Sequence, residues 1–241
     1  MEQFDLVVIG GGPSGYAGAM RAIDFGKKVL LIEKKRIGGA GLYNGVLTSK
    51  TLWEQALKVA SIREIIPGFE PKFEDFSKIV DEALFERKTQ MTIHLQLLQK
   101  QKNKLFFYEK GTAFILDKNT VQVTKEDGTI KTVQTSNILI ATGSSPRVPN
   151  NIKVDEKVIV TSDGIRNFTA FPQSMVVLGA GVIGCEFATI FSCFGKTKVN
   201  LIDKADRILP FEDEDIANVV KNSLEAYGAC VHHGASLKRM S

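Results

Sequence analysis

The chain has 241 residues, of which 44% are hydrophobic and 24% charged, and a formal net charge of +4. This is enough apolar material for a substantial core in one or two compact units. Its Lys, Arg, Asp and Glu residues are interspersed rather than blocked, which argues against a nucleic-acid or membrane-surface partner, and no apolar run is long enough to span a bilayer.

The opening "MEQFDLVVIGGG" goes directly into a strand without a charged, apolar and small-residue leader, so a cytoplasmic location is expected. "FDLVVIG" is a short β-rich run closed by glycines, "GPSGYAGAMRAIDFG" reads as a helix ended by Gly26, and "KKVLLIEK" returns as a strand. Together they make a right-handed βαβ unit with a parallel sheet. "SKTLWEQALKVASIREI" and "EDFSKIVDEALFERKTQMTIHLQLLQKQK" read as helices, the second opened by acidic residues. Trp53 shares a stripe with Leu57 and Ala60 and is expected in the core rather than on a cofactor.

From Lys104 to Ala141 the pattern changes to short alternating runs, "KLFFYEKG", "TVQVTKEDGTIKTVQ" and "NILIATG", with a hairpin turn at Glu126-Asp127-Gly128. This is a small antiparallel insertion that returns to a central strand. "GSSPRVPNNIKVDEK" follows, and its Ser, Pro and Asn residues mark the domain boundary, giving domains 1–149 and 150–241. "SMVVLGAGVIGCEFATIFSCFGKTKVNLIDK" then repeats strand, glycine turn, helix and strand about 170 residues after the first copy, a spacing for two domains rather than a solenoid. "DEDIANVVKNSLEAYG" is a helix with Gly228 past its end, and "ACVHHGASLKRMS" begins a further strand. The second unit has few strands for a doubly wound sheet, so a fragment with open sheet edges is expected. The fold class is α/β, two Rossmann-like doubly wound units with parallel sheets and the antiparallel insertion.

Of the three cysteines, Cys185 and Cys193 lie eight residues apart on one helix. At about 1.5 Å per residue their Cα atoms are roughly 12 Å apart, beyond disulfide reach. All three are expected as buried small hydrophobes. No metal site is expected, and His94, His232 and His233 are read as surface or core residues.

Two motifs carry chemistry. Gly10-x-Gly12-x-x-Gly15 follows a strand and opens a helix: the first glycine permits the tight turn, the second lets a pyrophosphate approach the backbone, and the third lets helix and strand pack closely. Pro13, Ser14 and Lys34 flank this candidate dinucleotide site, and Glu33, 23 residues after Gly10, can accept hydrogen bonds from an adenosine ribose. Gly179-x-Gly181-x-x-Gly184, with Val182 and Ile183 inside it, has the same context and ends in Asp203, 24 residues on. An acid there accepts the ribose 2′-hydroxyl of NAD and repels the 2′-phosphate of NADP, so NAD(H) is favoured. Lys198, Lys204 and Arg207 either soften that repulsion or are solvated charges.

These two units, the "IATG" strand between them and the stretch after Glu33 together resemble the pyridine nucleotide-disulfide oxidoreductases, with dihydrolipoamide dehydrogenase and the soluble pyridine nucleotide transhydrogenase as the similar branches. The resemblance runs from Phe4 to the end of the chain and implies that the first unit binds FAD and the second NAD(P)H. Members of that family carry two redox cysteines between a glycine pair and a Ser-Lys dipeptide. "GGAGLYNGVLTSK" keeps Gly38, Gly39, Gly45, Ser49 and Lys50 but has Gly41 and Val46 at the cysteine positions. Neither can form the thiolate that attacks a disulfide, so reduction of lipoamide, glutathione or thioredoxin is not expected.

By the same resemblance, Lys50 lies beside the reactive edge of the flavin and Glu186 near the nicotinamide, and docked domains would bring them together as a buried ion pair. The alternative is a solvated lysine and a glutamate favoured by its helix dipole. Gly39, Ala113, Thr142 and Gly143 match positions around FAD, and Leu237 a position by the NAD adenine. Gly41 leaves room for a small acceptor, with Tyr43 and Asn44 lining that space or facing water. The family's acid-base histidine and dimer interface belong to a C-terminal region beyond this chain, so a homodimer is expected only if the full-length protein includes it. The expected function is hydride transfer from NAD(P)H, through FAD, to a small non-thiol acceptor such as a second pyridine nucleotide or a quinone. The alternative is a non-catalytic or truncated FAD/NAD-binding protein.

Overall fold

In the computed structural model, which describes residues 2–101 and 104–237, the chain falls into two compact units. One joins Met1–Leu47 to Glu82–Ile152, and the other joins Thr48–Asp81 to Lys153–Ser241. The boundary expected between 149 and 150 lies close to the crossing at Ile152, whereas residues 48–81, assigned by the sequence to the first domain, belong to the second unit. The reason is hydrophobic: Leu52, Ala56, Val59, Phe73 and Val80 share one core with Ile190, Phe191 and Phe194. The end of the helix expected to run to Lys102 and the last residues of the chain lie outside the described residues.

In the first unit, β1 (Glu2–Ile9) lies between β2 (Val29–Glu33) and β5 (Ile130–Ile140), parallel to both. Strand β3 (Phe106–Asp117) continues the parallel sheet beside β2, then turns antiparallel to β4 (Thr120–Lys125), which pairs with β5 and closes the five strands on themselves. The hairpin turn forms where expected, with the Lys125 N–H donating to Thr129 O at 2.9 Å. Alternate strand residues point to opposite faces. Val7, Leu30 and Ile32 therefore pack with Val121, Val123 and Val133 of the antiparallel strands, while Val8, Val29 and Leu31 pack with Ala19 of α1 (Pro13–Asp24) and Leu95 and Leu98 near the end of a long helix, Phe73–Lys100. The stretch after Glu33 folds into the short helix α2 (Gly39–Tyr43). Tyr43 is buried there with the Arg36 guanidinium over its ring, so it lines no open space, while Asn44 is exposed.

In the second unit, α3 (Val46–Ile65) supplies residues from Thr48 onward and the Phe73–Lys100 helix, α4, supplies its first turns. Strands β6 (Ser174–Leu178), β7 (Lys198–Ile202) and β8 (Cys230–His232) form a parallel sheet in that order. Helix α5 (Val182–Phe194) is buried on every side from Phe187 to Phe194, as a helix apolar all round must be. Rings of Phe76 and Phe171 stand 4.7 and 4.9 Å from that of Phe194. Helix α6 (Glu214–Ala226) starts on Asp213, whose side chain accepts the N–H groups of Asp215 and Ile216. The core stripe of α3 runs through Leu52, Ala56 and Val59; Trp53 and Ala60 sit at its margin, and Leu57, expected inside, is 37% exposed because it falls past that margin. Val176 and Leu178, on the face of β6 opposite Met175 and Val177, are exposed. Among the described residues no helix is long and apolar enough to cross a membrane, and no three His, Cys, Asp or Glu side chains cluster as metal ligands.

Candidate functional site

Each glycine motif builds the same cradle. Gly10 turns the chain out of β1 at φ +105°, with its N–H donating to Ile32 O at 2.8 Å. Gly179 leaves β6 at the same φ of +105°, with its N–H on Ile202 O at 2.8 Å. A side chain at Gly15 would put its Cβ 1.9 Å from Gly10 O, and one at Gly184 would meet Gly179 O at the same distance. Helix and strand thus touch through glycine in both units. Gly12 and Gly181, by contrast, have nothing within 4 Å of where a Cβ would stand, so their backbone faces open space at a helix start.

The strand-end carboxylates are also used alike. Glu33 is 8% exposed; its Oε2 accepts the Gly11 N–H at 2.7 Å and its Oε1 the Lys35 N–H at 2.7 Å. Asp203 accepts the Ala180 N–H at 2.6 Å and the Ala205 N–H at 2.8 Å, again one on each oxygen. Burial works against the Asp203 charge, but the two backbone donors, with Lys204 and His233 nearby, hold its carboxyl below the usual carboxylate value. Each oxygen keeps a further lone pair for a ribose hydroxyl. Neither α1 nor α5 has a side-chain cap or an acidic residue in its first turn, in contrast to α6 with Asp213, Glu214 and Asp215. The positive ends of α1 and α5 are thus left for an anion. Cradle, uncapped helix and carboxylate together fit a dinucleotide in each unit.

The sequence missed four participants, Gly11, Lys35, Ala180 and Ala205, whose backbone N–H groups hold the carboxylates. Their signal was the repeat itself: each donor pair consists of the residue after the first glycine and the residue two past the acid. The structure also brings further predicted residues to the first cradle. Gly38 donates its N–H to Gly11 O at 2.7 Å, and a Cβ on Gly39 would stand 3.0 Å from Gly12 Cα. The Thr142 nitrogen lies 3.2 Å from the Cβ that Gly10 lacks, and Gly143 follows at φ +70°. Pro13 and Ser14 are exposed in the first turn of α1, and Lys34 is exposed after β2. Ala113 lies on β3 opposite Val123, against the inner cluster, three residues beyond Lys110, which pairs with Glu33. Val182 and Ile183 are exposed in the first turn of α5, and His232 is exposed at the end of β8.

Lys50 and Glu186 do meet, within the second unit. Lys50 Nζ stands 2.5 Å from Glu186 Oε1. The lysine side chain is 60% exposed against 14% for the glutamate, so only one member of the expected buried pair is buried: the long lysine stem keeps its ammonium in water while its partner on α5 is largely covered. Cys185 and Cys193 are buried, and burial pushes both thiols up to about 11, Asp203 adding to the effect on Cys185. Cys230, expected to be buried, is exposed at the start of edge strand β8.

Two cradles of this kind define a dinucleotide-binding α/β protein. Residues 4–241 match the family described as pyridine nucleotide-disulphide oxidoreductase, and the chain belongs to that family. It is 34% identical over 257 aligned positions to a dihydrolipoyl dehydrogenase of Acholeplasma laidlawii, covering 99% of this chain and 71% of the relative. It is 32% identical to a soluble pyridine nucleotide transhydrogenase of Chromohalobacter salexigens, covering 97% of this chain and 50% of that protein. A copper complex of the HOCl-induced flavoprotein disulfide reductase RclA of Escherichia coli superposes with a TM-score of 0.81 at 26% identity, over 100% of this chain and 51% of that one. LpdA of Mycobacterium tuberculosis shares the fold with a TM-score of 0.84. The chain thus spans about half the length of most of these proteins.

Proposed function

We propose that this protein takes a hydride from NAD(P)H, by way of FAD held in the first unit, and delivers it to a non-thiol acceptor, either a second pyridine nucleotide or a quinone. The observation that carries the proposal is the pair of matched cradles in one chain whose family cysteine positions hold Gly41 and Val46. Flavin, when bound, supplies a reservoir for two electrons that accepts hydride from one partner and releases it to another. The protein's own part is to bind and orient. Gly10, Gly12 and Gly15 with the start of α1 would take the FAD pyrophosphate and Glu33 its ribose; Gly179, Gly181 and Gly184 with α5 and Asp203 would take the second dinucleotide. Lys50 and Glu186 would fix the nicotinamide end through their ion pair. Asp203 favours NAD(H), since its anionic carboxylate repels a 2′-phosphate.

Thiol chemistry has no agent in this arrangement. Cys185 and Cys193 are buried thiols held protonated at neutral pH, and Cys230 stands alone. The test is anaerobic addition of NADH to the purified protein, followed by candidate acceptors. The expected outcome is a yellow protein that bleaches with NADH and is reoxidised by thio-NAD or a quinone but not by lipoamide, glutathione disulfide or thioredoxin. Turnover of any of these three that survives removal of all three cysteines overturns the acceptor assignment. A colourless protein, or a yellow one unmoved by NADH, returns the chain to a non-catalytic binding module.

A further inference from the structure

His233 follows directly on the end of β8, and the strand pairing decides what it meets. Ile202 of β7 is level with His232 of β8 in the parallel ladder. The Asp203 N–H donates to His232 O at 3.0 Å, which carries the same register one residue further and sets His233 beside Asp203. The turns after both strands then close on each other. The Gly234 N–H donates to Ala205 O at 3.1 Å and the Ala235 N–H to Asp203 O at 3.0 Å, while the Ala205 N–H holds one oxygen of the Asp203 carboxylate. His233 is half-buried in this arrangement, and its Nδ1, itself buried, has no hydrogen-bond partner among the described residues. Its neighbour His232 differs: it is exposed, with Nε2 3.2 Å from Asn200 Oδ1. A half-buried imidazole with an unused nitrogen thus stands next to the carboxylate that the second cradle offers to a ribose.

We infer that His233 is a specificity-determining residue of the second cradle, which when protonated admits a dinucleotide bearing a 2′-phosphate and when neutral leaves the cradle selective for a free 2′-hydroxyl. The inference rests on the reading of this cradle as a nucleotide site and names what regulates its choice. Asp203 by itself repels a 2′-phosphate, and its backbone donors keep it anionic. An imidazolium beside it sets a positive charge and an N–H donor at the same ribose edge, which offsets that repulsion. The neutral ring brings no such charge. Histidine changes between these forms from about pH 5 to 8. The other ionisable groups around it are Asp203, Lys204, Asp206 and Arg207 at and after the end of β7, with the Arg207 Nη2 donating to Pro210 O at 3.2 Å. Helix α5 brings Cys185, a buried thiol held protonated. Helix α6 brings Val220 and Leu224 to the core that Val231 borders, and its Lys221 pairs with Glu225. Lysine and arginine hold their charge across the neutral range, so they bias the choice equally at every pH, and the imidazole is the part of this set that varies.

The experiment measures NAD⁺ and NADP⁺ binding to the full chain by calorimetry from about pH 5.5 to 8.5, so selectivity is read without flavin turnover. The ratio of the NADP⁺ Kd to the NAD⁺ Kd should fall about tenfold more in the native protein than in His233→Gln as pH drops through this range. The variant supplies the part that comes from protonation of the phosphate itself. His233→Arg, charged throughout, should keep the ratio low even at the alkaline end. NAD⁺ affinity at the alkaline end should stay within about threefold of the native value in both variants, which shows the cradle intact. In the native protein NADP⁺, and not NAD⁺, should move the titration of the His233 ring resonances to higher pH, a linkage reading that needs no variant. A ratio with the same pH course in the native protein and His233→Gln, or a His233 titration that NADP⁺ leaves in place, overturns the inference. If NADH reduces the flavin while the ratio follows that common course, the hydride-transfer reading stands and the role of His233 falls. If the ratio depends on His233 in a protein whose flavin NADH does not reduce, the role of His233 stands and the hydride-transfer reading falls.

Discussion

Asp203→Asn isolates the carboxylate that holds the second cradle together. The native side chain accepts one backbone N–H on each oxygen, from Ala180 at 2.6 Å and Ala205 at 2.8 Å. An amide has one acceptor oxygen, so in the variant one of those N–H groups faces an NH₂ that is itself a donor. A hydrogen bond to a charged group contributes about 1.5–3 kcal/mol, and for a half-buried residue the lower figure applies, so a loss of about 1.5 kcal/mol is expected at pH 7. The lone tryptophan reports it, because Trp53 packs against the core of this unit; urea unfolding followed by its fluorescence gives the difference directly. The pH dependence supplies a second check. The folded carboxyl lies below its unfolded value, so its contribution is present above about pH 4 and is lost as pH falls through the folded value. The gap between wild type and variant should therefore narrow below about pH 4, while NADH affinity at pH 7 falls about tenfold with the lost ribose acceptor. Equal stability at pH 7, or a gap that widens in acid, would refute the reasoning.

Gly12→Ala and Gly181→Ala should leave stability within about 0.5 kcal/mol, since no atom lies near the added Cβ, yet weaken dinucleotide binding measured by calorimetry; Gly15→Ala and Gly184→Ala, whose Cβ would stand 1.9 Å from a carbonyl oxygen, should cost about 1–3 kcal/mol or more in denaturation. Iodoacetamide on the native protein at pH 7 should label Cys230 and spare Cys185 and Cys193, whose thiols lie near 11, with both becoming reactive in urea; native labelling of either, read by peptide mass, contradicts their burial. Lys50→Ala should change unfolding stability by less than about 1 kcal/mol, because the lysine is largely solvated, while slowing flavin reduction by NADH about tenfold in stopped flow; unchanged reduction would leave the pair a surface contact.

The two cradles were legible because everything that makes them is local: a strand, three glycines at fixed spacing, a helix start and an acid at the end of the next strand. Even their backbone donors repeat with the motif. Residues 48–81 were not legible as part of the second unit, since their attachment depends on Phe73, Phe76 and Val80 finding Phe171 and Phe194 about a hundred residues away. Tyr16 and His94 illustrate the same limit. They are 78 residues apart, and each read singly is an ordinary helix residue; only the packing of α1 and α4 against one face of the sheet brings the Tyr16 hydroxyl into a hydrogen bond with His94 Nδ1. Lys50 and Glu186 were found through the family likeness, which gave the partnership but not its exposure, because burial depends on how far α5 covers a side chain reaching from α3.

Among the described residues the cradles differ in what stands beside the first glycine, and the difference bears on what each position tolerates. Beside Gly10 runs the end of β5: a Cβ there would meet Ala141 O at 2.2 Å, and the Ala141 N–H donates to Ile9 O at 2.8 Å, so this turn is walled by a third strand. Gly179 has nothing within 4 Å, because among the described residues β6 has β7 on one side and no strand on the other. The first turn is therefore confined by a neighbouring backbone as well as by its own positive φ. Gly10→Ala would set its Cβ against a carbonyl oxygen in a conformation that L side chains rarely adopt, so this variant should destabilise the first unit, read as a lower midpoint in urea unfolding; an unchanged midpoint would show that the wall yields.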